Sequence, residues 1–194
     1  MDAVELAAAL RAAFAAAGAE DALEGWPELR VTRAVVPAGL PVCAVLGLAA
    51  TGAPAPFAAL VAGLRDGAAR LRWGQTYGVA EFGAAFLQGY GWTELIGLRG
   101  PIASDRVAVG VLLLGPGVEY PPHAHEATEV YLPLSGVAEW QRDDAPFAPI
   151  PPGRAIRHPS WMPHAMRTGA DPLVAAYVWR GGDLAAKSRI VARG

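Results

Sequence analysis

Apolar positions in the first 70 residues recur at intervals of three and four. Residues 4 to 17 set Val4, Leu6, Leu10 and Phe14 among alanines and stop at Gly18, which predicts a helix with a glycine end. A second helix is expected from about Phe57 to Trp73. There Leu60, Val61, Leu64, Ala68 and Leu71 fall on one face, with Arg65, Asp66, Arg70 and Arg72 as the wet face between them. A third, short helix is expected over Phe82–Gln88, closed by Gly89. All three read as cover for a core or a dimer contact rather than as carriers of chemistry.

From about Glu94 the period shortens. Val107–Leu114, Glu129–Leu134, Val137–Gln141 and Leu173–Trp179 are short apolar runs. Between them stand the turn signals Gly115-Pro116-Gly117, Ser135-Gly136, Asp143-Asp144, Pro151-Pro152-Gly153 and Thr168-Gly169. Short strands at roughly 8–12 residue spacing predict a mainly β sandwich or barrel. The expected organisation is an alanine-rich helical extension over 1–92, a barrel over 93–182 and a tail over 183–194, with no internal repeat.

Composition narrows the class. The chain has 194 residues, 53% hydrophobic and 18% charged, with a formal net charge of 16 − 18 = −2. Such a chain buries a sizeable core and is not disordered. It lacks the positive excess that phosphate backbones require, so nucleic acid is not an expected partner. Cys43 is the lone cysteine, which excludes an intrachain disulfide and points to a reducing compartment. Asp2 and Glu5 stand where a signal peptide carries positive charge. Residues 34–64 hold no charge, but Pro37, Pro41, Pro54 and Pro56 break the run, so no membrane span is expected. The expected location is the cytoplasm.

The candidate chemistry is concentrated. All four histidines lie between 123 and 164. His123 and His125 are two apart, so on a strand both face one way, and Glu129 and Tyr131 share that parity. If extended pairing persists over 123–131, two imidazoles, a carboxylate and a phenol converge, and His164 can return on another strand. Neutral imidazoles with one carboxylate suit a divalent first-row transition metal with positions left open for substrate; Fe, Zn, Mn, Co and Ni all tolerate that set.

Gly117, five residues, His123-x-His125, three residues, Glu129, six residues and Gly136 match the first cupin motif at every fixed position. In the second motif Gly153, Pro159 and His164 fit, while Trp161 stands at a glycine position and Thr168 at an asparagine position. The resemblance is closer still to the dimethylsulfoniopropionate lyase-like cupins. It rests on Gly89-Tyr90-Gly91, Glu94-Leu95-Ile96-Gly97, Leu113-Leu114-Gly115-Pro116-Gly117, Tyr120-Pro121-Pro122-His123, Glu129-Val130-Tyr131 and the run His158 to Thr168, and spans roughly 70 to 182.

The resemblance implies a single jelly-roll barrel that cleaves dimethylsulfoniopropionate to dimethyl sulfide and acrylate. It assigns one metal per chain to His123, His125, Glu129 and His164, the catalytic base to Tyr131, and a place near the substrate to Tyr120. The chemistry is coherent: β-elimination removes a proton α to a carboxylate, which a bound dication acidifies, and the sulfide leaves neutral without an acid. A sulfonium cation also suits an aromatic wall. Tyr120 is the first candidate for it; Trp92, Trp161 and Trp179 follow, weighed against plain packing.

His158 matches no ligand slot and is expected to be hydrogen-bonded in a supporting role, and Glu119 and Glu126 to be rim charges. A paralogue acting on another small carboxylate, an Fe(II) dioxygenase and a non-catalytic small-molecule binder are the rival readings. A homodimer is expected, since strand edges and alanine-rich helices need cover.

Overall fold

The computed structural model describes residues 1–191. Helix α1 (Ala3–Ala16) begins at Asp2, whose carboxylate accepts from the amides of Val4 and Glu5, both at 2.9 Å, while Glu5 accepts from the Asp2 amide at 2.8 Å. These two acids thus form a reciprocal helix cap. Residues 34–64 contain helix α2 (Val45–Gly52), which the periodicity did not predict, and the start of α3 (Ala55–Gly67).

Helix α3 ends at Gly67, short of the expected Trp73. Leu71 and Trp73 are buried with Arg72 exposed between them, an alternation of strand type. Trp73 opens the two-residue strand β1 (Trp73–Gly74). Helix α4 (Val79–Gln88) starts three residues before the expected Phe82 and is broken at Gly83, where φ is 75° and ψ is 163°.

The strands are β2 (Tyr90–Gly97), β3 (Ile102–Ala103), β4 (Val107–Leu114), β5 (Glu119–Ala124), β6 (Thr128–Ser135), β7 (Ala138–Arg142), β8 (Ala148–Ile150), β9 (Ile156–His158), β10 (His164–Thr168), β11 (Leu173–Arg180) and β12 (Arg189–Ile190). They form two facing sheets. One runs β1-β2-β4-β11-β6-β9 with β3 beside β2, and the other runs β12-β5-β10-β7-β8. Apart from the parallel β2–β3 contact, every strand pair is antiparallel. This is the expected mainly β architecture of a single jelly-roll barrel with helical cover.

Parity divides the larger sheet into two cores. Val109, Val111, Leu113, Val130, Leu132, Val174 and Val178 face outward against Leu6, Phe14, Leu46, Val61 and Leu64 of the helices. Leu112, Leu114, Tyr131, Leu173, Ala175 and Tyr177 face inward, toward Tyr120, Trp140 and Met166 of the second sheet. A strand covered on both faces is apolar throughout, which is why β4 reads as an unbroken apolar run. Gly136, at φ 80°, turns β6 into β7 where a Cβ would come 1.9 Å from the Pro172 carbonyl oxygen.

The expected border between residues 92 and 93 falls inside β2, whose neighbour β1 lies further upstream. Part of the expected tail is also built in, since β12 pairs with β5 and Leu184 and Ser188 are buried. Residues 192–194 lie outside the described residues. No helix among the described residues is long and apolar enough to cross a membrane.

Candidate metal centre and cavity

Extended pairing does not persist across 123–131. The chain leaves the second sheet after Ala124 and enters the first at Thr128, so β5 and β6 belong to opposite walls. The convergence therefore spans the barrel interior. His123 and His164 face each other as Cα partners on β5 and β10, and Glu129 approaches from β6.

His125, Glu129 and His164 are buried, and their potential ligand atoms lie within 4.8 Å of one another. Glu129 Oε2 stands 3.0 Å from His125 Nε2 and 3.2 Å from His164 Nε2. Two donors a right angle apart on one ion, each at about 2.1 Å, would stand about 3 Å from each other. Each imidazole is also fixed from behind. Nδ1 of His123, His125 and His164 meets the carbonyl oxygens of Pro121, Ala127 and Met162 at 2.9, 2.9 and 3.0 Å. A carbonyl only accepts, so Nδ1 carries the proton and the Nε2 lone pair is left for the centre. Two such lone pairs and a carboxylate oxygen all accept, and only a shared positive charge reconciles them. The residues fit a cation.

Charge follows that geometry. Burial works against Glu129, but His125 and His164 hold its carboxyl well below the usual range. Burial likewise opposes His125, yet Glu129 raises it. His123 is pushed well below the usual range by burial and by His164. It lies outside the tight trio, its ring centroid 4.2 Å from that of His164 and stacked on Tyr120 at 3.8 Å.

A cavity of about 260 Å³ opens beside the trio, close to the lower size of small-molecule sites. His123, Glu129, Tyr120, Tyr131, Trp92 and Trp179 line it. Tyr131 is buried, and burial together with Glu129 pushes its phenol well above the ordinary value. The Tyr120 hydroxyl lies 3.1 Å from that of Tyr77. Trp92 donates its indole N–H to Thr76 Oγ1 at 3.0 Å. Trp179 donates to Glu129 Oε1 at 2.5 Å and lies against His125, so it is bound to the centre as well as to the cavity.

Other residues fall elsewhere. Trp161 does not line the cavity: it is 45% exposed, under the Arg189 guanidinium at 4.7 Å, and holds φ at 60°. His158 is buried and stacked on His164 at 4.0 Å, yet neither ring nitrogen has a hydrogen-bond partner among the described residues, contrary to the expectation. Burial, then His164, pushes it down to about 2. Glu126 is exposed but not idle, since it accepts the Asp183 amide at 3.1 Å.

Sequence reasoning missed Tyr90, Tyr177, the Glu94–Arg99 pair and the wall formed by residues 184–188, which line the cavity, and Tyr77, which meets it through the Tyr120 hydroxyl. Tyr90 stood inside a quoted motif and offered a signal. In the wall only Lys187 carries a charge, and nothing in its spacing ties it to the histidines; Leu184, Ala185, Ala186 and Ser188 carry no chemical mark.

The family model described as dimethylsulfoniopropionate lyase matches residues 27–175. The chain belongs to the dimethylsulfoniopropionate lyase family. It is 35% identical over 165 residues to dimethylsulfoniopropionate lyase DddQ of Ruegeria pomeroyi, covering 84% of this chain and 82% of that protein. A putative dimethylsulfoniopropionate lyase, DddL of Cereibacter sphaeroides, is 34% identical over 118 residues, which is 60% of this chain and 48% of that one. In three dimensions the chain is similar to a structure from the work on the lyases RdDddP and RnDddQII, with a TM-score of 0.89, 33% identity and 98% coverage of both chains. The DddQ structure from Ruegeria pomeroyi gives 0.87 at 32% identity, covering 97% of this chain and 95% of that one. In both of these structures the helical cover and the barrel are matched together, since the alignments run nearly end to end.

Proposed function

We propose that this chain is a metal-dependent carbon–sulfur lyase that converts dimethylsulfoniopropionate to dimethyl sulfide and acrylate. The observation that carries the reading is a cation-ready imidazole–carboxylate group opening onto a cavity walled by phenols and indoles. His125, Glu129 and His164, with His123 beside them, would hold one divalent transition metal, Fe, Zn, Mn, Co or Ni. When bound, such an ion supplies a Lewis acid for the substrate carboxylate and so acidifies the α-proton.

Tyr131 takes that proton at its phenolic oxygen. The Cα–H electron pair becomes the new C=C bond, the Cβ–S bond breaks, and its pair leaves on neutral dimethyl sulfide. Burial and then Glu129 oppose loss of the Tyr131 proton, so a nearby positive charge that offsets both is what lets the phenol act as a base. Tyr120, stacked flat on His123, and Trp92 offer π-faces to the sulfonium cation.

The test is headspace sulfide release by chelated protein reloaded separately with each of the five metals. Tyr131→Phe should lower turnover by about 10²–10⁴-fold with metal content unchanged. Absence of sulfide with every metal at confirmed occupancy sinks the substrate assignment. The reading includes a cytoplasmic homodimer, which would cover apolar positions such as Val36 (79% exposed) and Val79 (63%); light scattering decides between one copy and two.

A further inference from the structure

The two oxygens of Glu129 have different neighbours. Oε2 faces His125 Nε2 and His164 Nε2, whereas Oε1 accepts the Trp179 indole N–H at 2.5 Å. An indole nitrogen donates and cannot accept, so it competes with any cation for Oε1. The donor is held there twice over. Trp179 and Glu129 are Cα partners between β11 and β6, and the indole ring lies on His125 with centroids 4.0 Å apart. Glu129 is 1% exposed, so solvent does not compete with this indole for Oε1, and the Tyr131 phenol is the other donor beside the carboxylate.

We propose that Trp179 is a positioning residue that withholds Oε1 from the bound cation, so that Glu129 ligates through Oε2 alone. A carboxylate chelating through both oxygens fills two coordination positions. With three imidazoles it would bring the protein's ligand atoms to five and leave at most one further position; with one oxygen tied back the protein supplies four, and two further positions can be taken. Two openings accept both oxygens of a substrate carboxylate, or one oxygen and a water. This deepens the lyase reading and rests on it only for the identity of the incoming carboxylate.

The test uses full-length protein loaded with Co(II), whose visible bands weaken as coordination number rises, titrated with acrylate as a simple carboxylate probe. Trp179→Phe keeps a ring against His125 and deletes the donor, and Trp179→His returns an N–H. In Trp179→Phe the bands should weaken and acrylate affinity should fall by about 10-fold or more, within the range that outer partners of metal ligands command. Trp179→His should recover both. A tryptophan analogue with sulfur in place of the indole nitrogen makes the same deletion if the phenylalanine variant does not fold. Wild-type bands and acrylate affinity in the donor-deleted protein would overturn the proposal. Neither readout needs turnover, so a wild-type protein that releases no sulfide but shows this pattern loses its substrate assignment and keeps its positioning residue.

Discussion

Trp161 holds φ at 60°, a conformation that costs an L residue roughly 1–2 kcal/mol and glycine almost nothing. The second cupin motif has glycine there, so the departure seen in the sequence leaves the turn intact and transfers the cost to the backbone. The Trp161 amide still donates to the His125 carbonyl at 2.8 Å, tying the turn to a candidate ligand. Trp161→Gly should therefore be more stable than Trp161→Ala by about 1 kcal/mol in urea denaturation, since both lose the ring but only alanine keeps the strain. Equal stabilities would remove the strain argument. At this scale the sequence was most legible where ligands sit in fixed short spacings, as His125 and Glu129 do. It was least legible for Tyr77 and for the bond from Trp179 to Glu129, whose partners lie 43 and 50 positions away.

The four apolar runs were legible as strands, and the end of the second helix was not. Val107–Leu114 coincides with β4 because a run buried on both faces has no ambiguous border. The second helix was overrun because Leu71 continues the spacing of three and four, although it already belongs to an extended segment leading into β1. The alternation Leu71, Arg72, Trp73 was the competing signal, too short to outweigh a helical pattern. The expected division into extension and barrel also hid a shared core. Leu64 of α3 is fully buried in the cluster that includes Val109 and Val130 of the barrel. Leu64→Ala should cost about 2–5 kcal/mol, read as one cooperative transition by both far-ultraviolet and tryptophan signals. Two separate transitions would restore an independent helical unit.

For the molecule as a whole, buried imidazoles couple folding to pH. His158 sits near 2 in the folded chain and near 6.5 when unfolded, so below about 6.5 the unfolded chain binds a proton that the folded chain refuses. Stability of the metal-free protein should fall as pH drops, by about 2 kcal/mol between pH 6.5 and 5 from this residue alone. His158→Phe should flatten that slope in urea titrations at several pH values; an unchanged slope would assign the effect to other groups. A bound metal should move the midpoint up at pH 7 and lose that advantage in acid, because protonated imidazoles do not ligate.

All five tyrosines of the chain, Tyr77, Tyr90, Tyr120, Tyr131 and Tyr177, are buried in the single cluster around the cavity. The protein therefore carries its own reporter. Fluorotyrosine supplied during growth would place every fluorine nucleus within the cluster and none on the surface. Each resonance that moves when metal or substrate arrives would come from this one neighbourhood, with no background to subtract.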